Sequence, residues 1–225
     1  MIITKKKEPA DIVESLKGYK SVYLFGCNTC AEQCKTGGIE EINEMTATLT
    51  ENGHEVTGYS LVDETCYEQL ARREVRKVPA IKESDAVLVL ACGAGVKTVA
   101  DSVEESTPVL PALDSLYLAS VERVGRFFEG CSLCGECVLT ETAGICPHTE
   151  CPKDMLNGPC GGVSDGKCEV LVENECAWTR IHSRLKAQGR LSQMTKFRPL
   201  KDNSIKLNPR QTLLRGPGSV AQKSR

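Results

Sequence analysis

Short apolar runs alternate with amphipathic stretches along the first half of the chain. Four short segments predict strands, at residues 20–26, 55–61, 86–91 and 108–111. The third run is apolar throughout, which is typical of a strand buried on both faces of a parallel sheet. Three stretches between these runs predict helices, at residues 38–52, 67–76 and 96–105. The alternation predicts an α/β fold with a parallel, doubly wound sheet of the flavodoxin or Rossmann type.

This periodicity ends near Arg126, and cysteine, glycine and proline dominate residues 127–176. Because such a segment buries little apolar surface, we expect bound metal to supply much of its stability. A closing helix is predicted at 177–188, with an apolar stripe of Trp178, Ile181 and Leu185. We therefore predict three regions: an α/β domain at 1–126, an irregular cysteine-rich domain with a terminal helix at 127–195, and an extended basic tail at 196–225.

The formal net charge of −2 conceals a strong asymmetry along the chain. Residues 1–178 contain 16 Lys and Arg against 29 Asp and Glu, whereas residues 179–225 contain 12 against one. A basic tail of this kind is suited to an acidic surface, either on a partner or on the chain's own acidic body. Since prolines and glycines interrupt it from residue 196 onward, we expect this arm to be extended.

Composition argues against two classes of partner. Aromatic residues are only 4% of the chain, so recognition of nucleic acid by base stacking is not expected. No apolar run approaches the ~18 residues of a membrane span, and the lysine-rich start does not resemble a secretory signal. The expectation is a cytoplasmic protein that neither inserts into a membrane nor binds nucleic acid.

The chain contains 13 cysteines, and thiols in a reducing compartment usually bind metal. Three thiols follow the ends of predicted strands, and the carboxyl ends of parallel strands meet at the edge where ligands bind. Two more lie in the loop that leaves the first of these strands, so five thiols reach a site that needs four. The alternative is that they are separate, buried structural cysteines. These five are Cys27, Cys30, Cys34, Cys66 and Cys92.

The other eight cysteines lie within residues 127–195 and make up two sets of four. Cys131, Cys134 and Cys137 have the spacing that wraps three corners of a 4Fe-4S cube in ferredoxins, and Cys146-Pro resembles the residue pair that closes such a run. Eight residues separate Cys137 from Cys146, where the ferredoxin run has three, so the cluster that Cys146 serves is left open. The remaining four lie in a glycine-rich frame: Cys151, Cys160, Cys168 and Cys176.

Other chemistries compete with iron at these positions. Tetrahedral zinc also accepts four thiolates, so a structural zinc site is the rival at one four-cysteine set. The segment from Cys92 to Thr98 occupies the position of a nucleotide-binding turn, but a thiol leads it and Thr98 replaces the third glycine, which favours a turn that presents Cys92. No catalytic Ser/His/Asp or Cys/His set is evident, and the three histidines are scattered: His54, His148 and His182.

Three segments of the cysteine-rich region carry a family pattern. They are GCSLCGECVLTETAGICP at 130–147, LNGPCGG at 156–162 and GKCEV at 166–170, and the pattern extends to 26–30 and 89–96. These motifs resemble the methylenetetrahydrofolate reductase C-terminal family, the cysteine-rich MetV-type subunit that accompanies a flavin-containing reductase subunit. The resemblance implies two or three 4Fe-4S clusters, with zinc as the alternative at one four-cysteine site, and it makes all thirteen cysteines candidate cofactor and metal ligands.

The resemblance also implies a function without a catalytic residue on this chain. The subunit would pass single electrons from ferredoxin or another low-potential donor to the flavin of a MetF-like partner, where methylenetetrahydrofolate becomes methyltetrahydrofolate in one-carbon metabolism of the Wood-Ljungdahl type. Flavin and folate are expected on the partner, because this chain has no room for a further barrel domain. The alternatives are a zinc-binding structural subunit of the same complex, without a redox role, and a free-standing electron carrier.

Overall fold

The computed structural model describes residues 1–214 and 220–223. It divides into two compact units, residues 1–128 and 129–225. The strands are β1 (Ile2–Lys6), β2 (Ser21–Cys27), β3 (Glu55–Val62), β4 (Ala86–Leu90), β5 (Val109–Pro111), β6 (Leu113–Arg123), β7 (Arg126–Cys131), β8 (Gln211–Leu214) and β9 (Val220–Lys223). The helices are α1 (Pro9–Ser15), α2 (Cys30–Gln33), α3 (Ile39–Glu51), α4 (Glu68–Lys77), α5 (Ala80–Glu83), α6 (Gly93–Ala100), α7 (Pro147–Glu150) and α8 (Ala177–Ala187).

Four strands of the first unit form a parallel sheet in the order β3-β2-β4-β5. The strand β2 is central, and its Gly26 pairs with Leu61 of β3 on one side and with Leu90 of β4 on the other. The predicted α/β class and parallel sheet are therefore confirmed. The doubly wound arrangement of the helices stays a prediction. The helix predicted at 96–105 is displaced, because α6 begins directly after Cys92 and ends at Ala100.

The parallel sheet is the core of the first unit. All five residues of β4 are buried, and α3 and α4 pack against the sheet through apolar side chains that include Ile42 and Val75. The loop after β2 passes close to β4, since a Cβ atom at Gly37 would lie 2.0 Å from the carbonyl oxygen of Leu90. Glycine at position 37 is what lets this loop lie against the strand.

A separate antiparallel sheet, in the order β1-β6-β7, was missed by the sequence analysis. The strand β6 pairs with β1 between Leu113 and Leu118. Within β6 only Leu113 and Ala119 are buried, so its sequence shows neither a continuous apolar run nor a regular alternation. Backbone pairing rather than burial identifies this strand, and a hydrophobicity pattern does not report backbone pairing.

The second unit has little regular structure and a small apolar core. The closing helix α8 lies within one residue of the predicted range, and its apolar stripe is buried. Two arginines hold a cysteine-bearing loop to this helix region: Arg184 Nη1 donates to the carbonyl oxygen of Ala143 at 3.2 Å, and Arg190 Nη2 to that of Thr140 at 2.6 Å. The buried core residues of this unit are Ala143, Ile145, Cys176, Trp178, Ile181 and Leu185.

The sequence predicts an extended tail from residue 196 onward, but part of this tail has regular structure. A short 3₁₀ helix occupies Asn203–Lys206, and β8 pairs antiparallel with β9. Residues 215–219 and 224–225 of the predicted arm lie outside the described residues. Within the described part of the chain, no helix combines the length and apolar character needed to cross a membrane.

Candidate metal centres

The first group of thiols lies at the carboxyl edge of the parallel sheet. Cys27 is the last residue of β2, and Cys92 directly precedes α6 after the neighbouring strand β4. Because Gly26 pairs in register with Leu90, these two thiols leave adjacent strands at nearly the same level. Cys30 is the first residue of α2, and Cys66 follows β3 after a short turn. The fold thus delivers four thiols to one edge of the sheet.

Hydrogen bonds tie together the loops that carry these four thiols. The buried hydroxyl of Thr65 donates to the carbonyl oxygen of Gly26 at 2.9 Å, which fixes the Cys66 turn to the end of β2. The backbone amide of Asn28 donates to the carbonyl oxygen of Val62 at 2.8 Å. From α6, the hydroxyl of Thr98 donates to the carbonyl oxygen of Cys66 at 3.4 Å. The thiol-bearing segments are therefore held by the sheet and by one another.

The four thiols also influence one another electrostatically. Burial raises the pKa of the Cys66 thiol, and the neighbouring Cys92, Cys27 and Cys30 raise it further, because their thiolates would repel a thiolate at Cys66. This mutual influence agrees with the placement of the four cysteines at one edge of the sheet. A metal cation bound among the four thiolates would offset their mutual repulsion, because its positive charge lowers the pKa of each ligating thiol.

Cys34, the fifth thiol of this region, has a different neighbour. Its Sγ donates to the carbonyl oxygen of Ile2 in β1 at 3.8 Å. It is also absent from the thiols that shift the pKa of Cys66. Sequence spacing alone could not choose four ligands from the five cysteines. The structure groups Cys27, Cys30, Cys66 and Cys92 and leaves Cys34 beside the antiparallel sheet.

The second group lines one cavity of about 490 Å³ and consists of Cys131, Cys134, Cys137 and Cys146. The chain turns back between the first three because Leu133 and Gly135 have positive φ angles of 54° and 82°. The backbone amide of Leu133 donates to Cys131 Sγ at 3.3 Å. Cys146 shares this cavity in spite of its long separation from Cys137, so the structure places it with the ferredoxin-like triplet.

Cys134 is the buried member of the second group. Burial acts to raise the pKa of its thiol, but the ammonium group of Lys201 and the backbone of Glu136 outweigh that effect and lower it below its ordinary value. Lys201 Nζ is buried, and no acceptor in the described residues meets the geometry of a hydrogen bond to it. The Lys201 ammonium group therefore lies beside the Cys134 thiol and favours its thiolate form.

The third group lines a much smaller cavity of about 20 Å³ and consists of Cys151, Cys160, Cys168 and Cys176. The backbone amides of Leu171 and Val170, helped by the charge of Lys153, lower the pKa of the Cys168 thiol. The Cys160 thiol donates to Glu169 at 3.4 Å, and Glu169 is also paired with Lys153. Trp178 lines the same cavity, which connects this group to the small apolar core.

The sulfur atoms are grouped, but they are not closed around a point. Across residues 1–214 and 220–223, no three His, Cys, Asp or Glu side chains are arranged to hold a metal ion. The donor chemistry of each group nevertheless fits the metals considered above, because four thiolates are the ligand set of structural zinc and of 4Fe-4S clusters. Metal binding requires the thiols of a group to turn inward, and the groupings identify which four would do so.

The remaining candidates have other partners in the structure. His148 lines the second cavity, but its Nδ1 is hydrogen-bonded to Asp154 at 2.6 Å. His54 Nδ1 is hydrogen-bonded to the carbonyl oxygen of Tyr19 at 2.9 Å. Sequence analysis missed Lys201 and Arg210, which approach the second group from the tail. The positive charge of the tail was the available signal, but it did not indicate which residues reach the thiols.

Comparison with known proteins bears on the cysteine-rich half of the chain. Residues 110–204 match a family whose description is methylene-tetrahydrofolate reductase C terminal. The family recognition is confirmed. The match to the methylene-tetrahydrofolate reductase C-terminal family includes the second and third thiol groups, whereas the first group lies outside the matched residues. No curated protein and no solved structure matches the chain.

Proposed function

We propose that this chain is an electron-transfer subunit of a methylenetetrahydrofolate reductase complex, passing electrons from ferredoxin or another low-potential donor to the flavin of a MetF-like partner. The family match supports association with the reductase. The observation that carries the redox assignment is the grouping of twelve thiols into three sets of four, two of which each line a single cavity. When bound, 4Fe-4S clusters transfer one electron at a time, and flavin collects two.

The two cavities of the second unit differ in the room they offer. The cavity of the second group, about 490 Å³, is roomy, whereas that of the third group is about 20 Å³. A water molecule needs ~10–15 Å³ of such space, so the third group has room for a single ion and not for a four-iron cube. We therefore assign a 4Fe-4S cluster to the second group and zinc to the third. We assign a second 4Fe-4S cluster to the first group because four thiolates are the ligand set of such a cluster.

Residues of this chain would favour the thiolate form that both metals require. The Leu133 amide donates to Cys131 Sγ, and the amides of Leu171 and Val170 stabilise the Cys168 thiolate. Amide donors to ligating sulfur orient the ligands and reduce their negative charge, which tunes a metal centre. No step of acid, base or nucleophilic catalysis is assigned to this chain, and the reduction of folate is assigned to the partner.

A zinc-binding structural subunit of the same complex is the second candidate. The observation that favours it is the small core of the second unit, because a region with six buried core residues gains much of its stability from bound metal. The two candidates differ in iron content. A structural subunit would hold zinc alone and remain colourless, whereas the electron-transfer subunit is brown and loses absorbance when dithionite reduces it.

The assignment is tested on five anaerobically purified proteins: wild type, Cys66→Ser, Cys137→Ser, Cys168→Ser and a control variant. We expect about eight iron and one zinc per wild-type chain. Cys66→Ser and Cys137→Ser should each lose about half of the iron, whereas Cys168→Ser should lose the zinc and keep the iron. The matched control is Cys34→Ser, which should keep all metals. An iron-free wild type would contradict the electron-transfer function, and iron loss in the control would contradict the first thiol group.

A further inference from the structure

The start of the basic tail packs on its own cysteine-rich unit. The backbone of Arg198 and the side chain of Asn157 form two hydrogen bonds, of 2.7 and 3.0 Å. Arg198 Nη1 also donates to the carbonyl oxygen of Leu156 at 3.0 Å, and its guanidinium lies over the Trp178 ring at 5.9 Å. These contacts fix the tail where it begins and direct the following residues toward the second thiol group.

The next part of the tail lies against the turn that carries the second thiol group. A Cβ atom at Gly135 would be 2.7 Å from Ile205 Cδ1, so the Ile205 side chain rests directly on this glycine between Cys134 and Cys137. Arg210 Nη1 donates to the carbonyl oxygen of Ile205 at 3.3 Å, and Arg210 lines the thiol cavity. Residues 196–210, which we name the cap, thus cover one side of this group.

The cap presents buried positive charge to the thiols. Lys201 and Arg198 line a cavity of about 250 Å³ together with Cys137 and the carboxylates of Glu136 and Glu141. Lys201 Nζ, Arg198 Nε and Glu141 Oε2 are all buried without a hydrogen-bond partner among the described residues. A buried cation without a partner is unfavourable unless a nearby negative charge offsets it. Glu141 offsets part of this charge, and the thiolates of the second group, which include Cys137 of the same cavity, add negative charge beside the two cations.

We propose that the cap is an electrostatic cover for the second thiol group and that Lys201 is the positioning residue whose charge stabilises the anionic sulfur ligands. The redox part of this inference rests on the proposed function. A one-electron reduction adds a negative charge to the cluster while the donor, dithionite in the test, is oxidised. A cation held beside the ligands favours the reduced state, so Lys201 raises the reduction potential of this centre.

The test compares Lys201→Met with Lys206→Met in the full chain. Lys206 belongs to the same segment and is exposed, so its replacement removes the same charge from an exposed position instead of a buried one. Anaerobic redox titrations are monitored by paramagnetic resonance. In Lys201→Met, the equilibrium constant for reduction of one cluster should fall about tenfold, which lowers its reduction potential by about 59 mV for one electron. Lys206→Met should leave both potentials unchanged, and Lys201→Arg, which keeps the charge, should restore the wild-type value.

A second readout separates this inference from the proposed function. If the wild type is purified without iron, the alkylation rate of each cysteine is measured by peptide mass spectrometry on the protein as isolated. Slower alkylation of Cys134 in Lys201→Met than in Lys206→Met then supports the cap, although the electron-transfer function has failed. If Lys201→Met and Lys206→Met contain iron and have equal reduction potentials, the proposed role of Lys201 is wrong. If both lack iron and Cys134 is alkylated at equal rates in the two variants, the proposed role is also wrong. Loss of iron in Lys201→Met alone, with rescue by Lys201→Arg, supports it.

Discussion

Ile181 offers a sharp test of how the second unit is held together. Its side chain is completely buried in α8, within a core of six buried residues. Replacing such an isoleucine by alanine removes buried methyl groups and leaves a cavity, which costs ~2–5 kcal/mol. Because a domain is typically stable by only ~5–15 kcal/mol, Ile181→Ala should remove a large share of the stability of this unit.

Trp178 makes the measurement specific to the second unit, since it is the chain's single tryptophan and lies in the same core. Its fluorescence during anaerobic urea titration should show the midpoint falling by about 1–2 M, given slopes of ~1–3 kcal/mol per molar urea. The matched control is Leu207→Ala in the same unit, where the leucine is 70% exposed and the midpoint should hardly change. Equal midpoints for the two variants would refute the placement of this core.

Two further predictions concern the first unit. Gly37→Ala should lower the stability of this unit by about 3 kcal/mol, because the new Cβ would overlap the Leu90 carbonyl oxygen. The control is Gly93→Ala, whose Cβ would lie 3.7 Å from its nearest neighbour. Equal melting temperatures for the two variants would contradict this prediction. Backbone amides of Ser21 and Lys20 lower the pKa of the Asp85 carboxyl group in the folded protein. The carboxylate therefore stabilises the fold fully above about pH 4, the pKa in the unfolded chain, and this stabilisation is lost as the pH falls through the lower pKa of the folded protein. Asp85→Asn should therefore be less stable than wild type at pH 7 but nearly equal to it in acid, as urea titrations at both pH values would show; a difference independent of pH would refute the role of the carboxylate.

The parallel sheet could be predicted because burial leaves a direct trace in sequence. The runs that became β2 and β4 are apolar where the strands are buried, and the helix α3 has an apolar stripe that packs in the core. The antiparallel sheet could not be predicted in the same way. Its strand β6 is mostly exposed, so its residues carry little of the signal on which such patterns depend.

The grouping of the thiols could be predicted only in part, because the sequence leaves open which four of the first five cysteines belong together and which set includes Cys146. The predicted strand ends are enough to place Cys27, Cys66 and Cys92 at one edge, since the carboxyl ends of parallel strands meet there. The choice of Cys30 over Cys34 depends on how the chain turns after β2, and the inclusion of Cys146 depends on how the loop before α7 folds back. Contacts distant in sequence, such as Lys201 with Cys134, leave no local pattern to read.

The most direct test of the central claim is paramagnetic resonance of the anaerobically purified full chain after dithionite reduction, with iron and zinc quantified on the same sample. We predict signals from two reduced 4Fe-4S clusters per chain, accompanied by about eight iron and one zinc. A sample that contains zinc but no iron, and gives no signal on reduction, would contradict electron transfer through these thiol groups.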